Sequence, residues 1–238
     1  MIYVSTGGFK DMRPTQAIKF LNKNGINKIE LSGGKFEENL YHKLKKFKIN
    51  HFSIHNYFPI PKKPFVINIA SLNSKINQKS MKQLMKGINL ANKLNLKYFS
   101  FHAGFYLDPR PKNLGKIIES PKLFPKIKSD KKFYSNIKKL VKFSKKKKIK
   151  IFIENNVITK KNLKLFNINP LMLCSYSDLR EIRKKFPPKD LGFLLDIGHL
   201  KVSSKTLKKN FYNELKKIVP LTDALHLSEN DASVDSNN

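Results

Sequence analysis

The sequence has one cysteine, no tryptophan and no apolar run long enough to cross a membrane. A single cysteine, Cys174, cannot form a disulfide within the chain, which is typical of proteins in a reducing compartment. A membrane-spanning helix needs ~20 consecutive apolar residues, and the amino-terminal MIYVSTGGFK lacks the basic and apolar regions of a secretory signal. We therefore expect a cytoplasmic protein without a membrane partner.

Arginine is scarce, although the formal net charge of the chain is +31. Only Arg13, Arg110, Arg180 and Arg183 are arginines among the 48 basic residues. A strongly basic surface attracts phosphate and is one sign of a nucleic-acid binder. Arginine, however, is the better reader of bases and phosphates, and the lysines are spread along the whole chain. We favour a compositional bias, so nucleic acid is a less favoured partner than a small molecule.

Seven short runs rich in apolar, β-branched or aromatic residues have the length of β-strands. These runs are Ile2–Ser5, Lys28–Leu31, His51–His55, Tyr98–His102, Lys150–Glu154, Gly192–Asp196 and Ala224–Ser228. Stretches with helical spacing lie between them, and one of these places Phe36, Leu40, Leu44 and Phe47 on one helix face. The repeated alternation predicts an α/β protein with a parallel sheet and right-handed crossovers.

Seven β-α units without a break in composition favour a TIM (β/α)8-type barrel over an open sheet. Such a barrel typically needs ~250 residues, and this chain of 238 residues stops just after its seventh predicted strand. We expect a single domain over residues 1–238, incomplete at its carboxyl end because the eighth unit is missing. The segment from Asp108 to Asp130 is predicted to be a long insertion after the fourth strand.

Residue types that commonly bind metals lie at the ends of most predicted strands. They are His55, His102, Glu154, Asp196 and His226, with His199 shortly after Asp196, and with Asp231 and Asp235 behind His226. A single histidine at a strand end is more often structural than a ligand, but the carboxyl ends of barrel strands converge on one mouth. Imidazoles mixed with carboxylates suit zinc, manganese, iron or cobalt better than calcium. The pattern therefore predicts a site for a divalent metal ion of open identity.

The order and spacing of these residues resemble those of the xylose-isomerase-like TIM-barrel superfamily. The segments that carry the resemblance are STGGF, IELSGG, HNYFP, FHAGF, IENN, LLDIGHLKVS and HLSENDASVD, one for each predicted strand. The superfamily contains sugar and sugar-phosphate isomerases and epimerases, and also endonuclease IV. The resemblance covers nearly the whole chain and implies a barrel fold with a metal-dependent site.

The resemblance also implies roles for single residues. Glu154, Asp196 and His226 match the metal ligands shared across the superfamily, and the glutamate that ends strand eight has no counterpart in this sequence. His55 and His102 match two further ligands of the endonuclease-IV-like branch. In that branch His199 matches a ligand, and Asp235 matches the aspartate of an Asp-x-His pair. Asn237 stands where the histidine of that pair is expected, which weakens a third metal site.

Three functions remain open at this point. The leading one is isomerisation or epimerisation of a sugar or sugar phosphate, in which a metal polarises a carbonyl and hydroxyl pair. Glu154 would then move the proton and His199 would hold a substrate oxygen. The first alternative is endonuclease-IV-like cleavage of a phosphodiester at abasic DNA. The second is an inactive, incomplete barrel that serves as a binding module; the oligomeric state stays open in every case.

Overall fold

Seven parallel strands form one sheet in the computed structural model of the chain, which describes residues 1–48, 51–113, 116–119 and 122–235. The strands are β1 (Val4–Ser5), β2 (Ile29–Leu31), β3 (Phe52–His55), β4 (Tyr98–His102), β5 (Lys150–Glu154), β6 (Gly192–Asp196) and β7 (Ala224–His226). They lie in sequence order, and each pairs in parallel with the next. The predicted parallel sheet and all seven predicted strands are confirmed.

The sheet is curled into an incomplete barrel. A flat sheet would hold β2 and β7 about 24 Å apart, because they are five strand spacings from one another. Instead the side chain of Glu30 on β2 contacts that of His226 on β7, with 3.0 Å between Oε2 and Nε2. No eighth strand lies among the described residues. The TIM-barrel prediction, with its eighth strand missing, is therefore confirmed.

Helices connect the strands and cover the outside of the sheet. They are α1 (Pro14–Lys23), α2 (Leu40–Leu44), α3 (Ser74–Lys93), α4 (Lys126–Lys146), α5 (Lys160–Phe166), α6 (Tyr176–Lys185), α7 (Ile197–Thr206) and α8 (Phe211–Ile218). The longest of them, α3 and α4, carry many lysines. Within the described ranges, no helix is both long and apolar enough to span a membrane.

Three details of the helices differ from the sequence-based expectation. The predicted helix from Phe36 to Phe47 is shortened to α2, because the backbone of Asn39 is in the left-handed region, at φ 54°, and the helix begins only after it. The insertion after β4 is shorter than predicted, since α4 already begins at Lys126. Helices α5 and α7 were not predicted; α7 follows β6 without a loop, and Asp196 caps it by accepting a hydrogen bond from the backbone N–H of His199.

The core lies between the sheet and its helices, where the strands are apolar on both faces. Phe99 and Phe101 on β4 and Phe193 on β6 are almost completely buried. Helix α3 packs so closely on β4 that a Cβ atom added at Gly87 would lie 2.4 Å from the ring of Phe99 and 2.9 Å from the carbonyl oxygen of Phe58. Glycine at this position is therefore required by the close approach of helix and sheet.

This contact yields a stability prediction. In an exposed helix, replacing glycine by alanine stabilises by about 1 kcal/mol, but at Gly87 the added methyl overpacks a rigid core. We expect Gly87→Ala to lower the free energy of unfolding by about 1–3 kcal/mol, measured by urea denaturation. Gly8→Ala is the matched control, because a Cβ there meets no atom within 4 Å. An unchanged or increased stability of the Gly87 variant would contradict the packing described here.

Candidate metal centre

Seven titratable side chains meet at the carboxyl ends of the strands. This strand-end cluster consists of Glu30 (β2), His55 (β3), His102 (β4), Glu154 (β5), Asp196 (β6), His226 (β7) and His199 in the first turn of α7. Strand register places His102 beside Glu154 and Asp196 beside His226. The curl of the sheet brings the remaining members around the same point.

Glu154 is the centre of the cluster, and its residue is only 1% exposed. Its Oε2 lies 3.3 Å from Nε2 of His55 and 3.7 Å from Nδ1 of His102. Its Oε1 lies 3.3 Å from Nδ1 of His226 and 3.6 Å from Nδ1 of His199. Each carboxylate oxygen therefore faces two imidazoles.

Three of the imidazoles are held from outside as well. Nδ1 of His55 is 2.9 Å from Oγ of Ser100, and Nδ1 of His199 is 2.8 Å from the backbone oxygen of Asn155. Nε2 of His226 is bonded to Glu30 on β2. Such partners fix the orientation of a ring and the nitrogen that carries its proton.

Asn155 also fixes the backbone of Asp196. Its side-chain oxygen accepts the N–H of Asp196 at 2.8 Å, and its side-chain nitrogen donates to the carbonyl of Asp196 at 3.0 Å. The two hydrogen bonds tie the end of β5 to the end of β6. The carboxylate of Asp196 is thereby held beside Glu154 while it caps α7.

Burial and mutual charge shift the pKa values of the carboxylates. Burial raises the pKa of Glu154, but His102 and His55, which are protonated at the acid pH where Glu154 titrates, and the hydrogen bond from His226 outweigh burial and hold the pKa far below its usual range. Burial likewise raises the pKa of Glu30, but the hydrogen bond and the charge of His226 outweigh burial and lower the pKa below its usual value. The pKa of Asp196 is raised, chiefly by burial.

The four imidazoles divide into two neutral and two charged groups. Burial lowers the pKa of His55 to about 4 and also lowers the pKa of His102. Burial acts in the same direction on His226, but its bonds to Glu154 and Glu30 raise its pKa to about 11. Asp235 and Asp196 similarly outweigh burial at His199, whose pKa is about 9. Near neutral pH, the metal-free protein therefore holds two imidazolium ions around Glu154.

The cluster fits a divalent metal ion. Nδ1 of His102 and Oε2 of Glu154 are buried atoms with no hydrogen-bond partner, although buried polar atoms are normally bonded. Three sets of ligand atoms have all members within 4.8 Å of one another, namely Glu30, His55 and His226; His55, His102 and Glu154; and Glu154, Asp196 and His226. Nitrogen and carboxylate donors of this kind suit zinc, manganese, iron or cobalt.

The structure brings most of the sequence-predicted site residues together. His55, His102, Glu154, Asp196 and His226 all belong to the strand-end cluster, and so does His199. Asp235 reaches it too, with Oδ2 at 3.3 Å from Nε2 of His199. Asp231 does not, since it is exposed and its carboxylate bonds Ser233. Asn237 lies outside the described residues.

Glu30 is the member of the cluster that sequence reasoning missed. Its signal was present, because it stands between two apolar residues in the middle of β2, and glutamate is almost never fully buried unless it is paired. The pattern of polar residues at strand ends does not include Glu30, because Glu30 precedes the last residue of its strand. The sequence did not identify its partner, which lies 196 positions further along the chain.

Comparison with known proteins identifies the family. The sequence model described as the xylose isomerase-like TIM barrel matches residues 18–238. The chain belongs to this family. A search of the curated proteins by sequence found no match.

Solved structures share this xylose isomerase-like fold at low sequence identity. A D-tagatose 3-epimerase-like protein is 17% identical with a TM-score of 0.67, over 98% of this chain and 78% of that one. The 3-keto-D-glucoside 4-epimerase of E. coli is 11% identical with a TM-score of 0.64, over 96% and 78%. A Thermus thermophilus protein soaked with ZnCl2 is 17% identical with a TM-score of 0.63, over 94% and 76%. These likenesses show the fold.

The protonation state of the cluster predicts proton release when the xylose isomerase-like protein binds a metal. Near neutral pH the imidazole of His226 is charged in the metal-free protein, because its pKa is about 11. A ring nitrogen must lose its proton before it binds a metal ion. We expect zinc binding to release at least about one proton per protein, measured by calorimetry in buffers of different ionisation enthalpy. A heat of binding that is independent of the buffer would contradict this protonation state.

Proposed function

We propose that the chain is a divalent-metal-dependent isomerase or epimerase that acts on a sugar or sugar phosphate. The observation that carries the proposal is the buried carboxylate of Glu154, surrounded by four imidazoles at the carboxyl end of the barrel strands. Active sites of TIM barrels lie at this end. Several structurally similar proteins are named as sugar epimerases, which supports a sugar as the substrate.

Glu154, Asp196 and His226 would hold the metal ion, with His55 and His102 beside them. When bound, a divalent ion polarises the carbonyl oxygen of a sugar and thereby acidifies the neighbouring carbon. The side chains of His102 and His226 are 29% and 25% exposed, whereas those of His55 and His199 are each 8% exposed. A substrate therefore approaches the cluster from the side of His102 and His226.

Proton transfer is assigned to Glu154 and substrate binding to His199. A general base must be unprotonated, and the carboxylate of Glu154 is ionised near neutral pH, as proton transfer from the acidified carbon requires. His199 is charged under the same conditions, and its Nε2–H, which faces Asp235 in the metal-free protein, would be the donor to a substrate oxygen. The hydrogen bond between Nδ1 of His199 and the backbone of Asn155 holds the ring in place while it does so.

The proposal predicts isotope exchange at one carbon of the substrate. In D2O, the metal-loaded protein should introduce deuterium next to the carbonyl of at least one ketose or ketose phosphate, and a chelator should stop the exchange. Glu154→Gln should lower the exchange rate at least ~100-fold, as followed by NMR or mass spectrometry. Metal content is measured in parallel, because the same substitution weakens the metal site.

Glu37→Gln is the matched control for loss of a buried carboxylate, since Glu37 bonds Thr15 and Lys43 away from the cluster. This variant should keep the wild-type rate. A folded, metal-loaded protein that introduces no deuterium into any ketose or ketose phosphate tested, and cleaves no DNA, would contradict an enzymatic function and favour a binding module.

A second candidate function is metal-dependent cleavage of abasic DNA. Two contacts favour it: the 3.3 Å approach of Nε2 of His55 to Nε2 of His102, and the 3.3 Å approach of His199 to Asp235. Together with Glu154 and Asp196, these groups offer enough ligands for more than one ion, and paired ions activate water for phosphodiester hydrolysis. The net charge of +31 also favours an anionic polymer.

An incision assay separates the two candidates. Under the leading proposal, an oligonucleotide with one abasic site remains intact in the presence of the protein and zinc or manganese. Metal-dependent incision, lost when both His55 and His102 are replaced by alanine, would replace the isomerase proposal with the nuclease one. The double variant is first checked for folding by circular dichroism, so that a loss of incision is not confused with unfolding.

A further inference from the structure

His226 is held from both sides by carboxylates of different strands. Its Nδ1 faces Oε1 of Glu154 at 3.3 Å, and its Nε2 faces Oε2 of Glu30 at 3.0 Å. Glu154 belongs to the centre of the cluster, whereas Glu30 approaches from β2, a strand that does not pair with β7. The two ring nitrogens of His226 therefore meet two distinct environments.

A similar division is seen at His55, and His199 is likewise held at both ring nitrogens. Nδ1 of His55 bonds Ser100 on the outside, and its Nε2 faces Glu154. Nδ1 of His199 bonds the backbone of Asn155, and its Nε2 faces Asp235. Glu30 occupies the corresponding outer position at His226. Like Asp235 at His199, and unlike Ser100 at His55, it carries a formal charge.

A carboxylate on the outer nitrogen of a metal-binding histidine has a known physical effect. It accepts the N–H, fixes the ring and its tautomer, and makes the other nitrogen a better ligand. The side chain of Glu30 is only 11% exposed, so water competes weakly for this hydrogen bond. The bond is also charge-assisted, which strengthens it relative to the neutral partners Ser100 and Asn155.

We propose that Glu30 is the positioning residue of the metal centre: it holds the Nε2–H of His226 so that Nδ1 is the nitrogen that binds the metal. The proposal rests on the metal-dependent function proposed above. If Glu30 bound the metal directly, the metal would lie between Glu30 and Nε2 of His226, and Nε2 would carry no proton. If Glu30 is a positioning residue, Nε2 keeps its proton. The tautomer of His226 in the loaded protein therefore distinguishes the two roles.

Zinc affinity provides the first test, measured by competition with a chelator on the full chain. Glu30→Ala should bind zinc about 10- to 100-fold more weakly than the wild type. Glu30→Gln should lose less, because its amide oxygen still accepts the hydrogen bond without the charge. Glu37→Ala is the matched control, because Glu30 and Glu37, taken as whole residues, are each 8% exposed. This variant should leave the zinc affinity unchanged.

NMR of protein labelled with 15N-histidine provides a readout that a merely structural role would not change. In the zinc-loaded wild type, His226 should carry its proton on Nε2, with that proton protected from exchange with water. Protection should be lost in Glu30→Ala and reduced in Glu30→Gln. Ser100→Ala, which removes the outer partner of His55, should alter the signals of His55 and leave the Nε2–H of His226 protected.

Each outcome decides the proposal. Wild-type zinc affinity in both Glu30 variants, or a proton on Nδ1 of His226 in the loaded wild type, would overturn it while leaving the metal-dependent function intact. A wild type that binds no zinc or manganese would overturn the metal-dependent function, and the role of Glu30 with it. Should Glu30→Ala fail to fold, Glu30→Gln and the tautomer of the wild type still give the answer.

Discussion

The burial of Glu154 is the constraint on which the rest of the site depends. A carboxylate removed from water is strongly destabilising unless positive charge and hydrogen bonds compensate for its lost hydration. The metal-free protein compensates with the imidazolium ions of His199 and His226, and a divalent cation would supply the same total charge at a single point. The site is therefore electrostatically complementary to positive charge, carried either by protons on the imidazoles or by a metal ion.

Curvature of the sheet makes this arrangement possible. Each strand from β2 to β7 contributes one donor near its carboxyl end, and in a flat sheet the donors on β2 and β7 would lie too far apart to interact. The contact between Glu30 and His226 joins these distant strands on the open side of the barrel. The full set of donors is therefore brought together only when the sheet has curled.

Much of this arrangement could be predicted from the sequence. Short apolar runs determine where the strands lie, and His55, His102, Glu154 and Asp196 follow because a polar residue that ends a buried strand is placed at the barrel mouth. Helix α7 was missed because its buried residues are partly polar and do not form an apolar helix face, and only the Asp196 cap marks its start. Glu30 was missed because its charge is compensated by a residue from the far end of the chain.

The sequence by itself determined the fold class, the order of the strands and most members of the strand-end cluster, since these depend on local periodicity and on the common direction of parallel strands. The tertiary structure alone decided which nitrogen of each imidazole faces the centre, which groups are charged, and that Glu30 joins the site while Asp231 does not. These properties depend on distances of a few ångströms between strands, and such distances arise only when the sheet curls and water is removed from around Glu154.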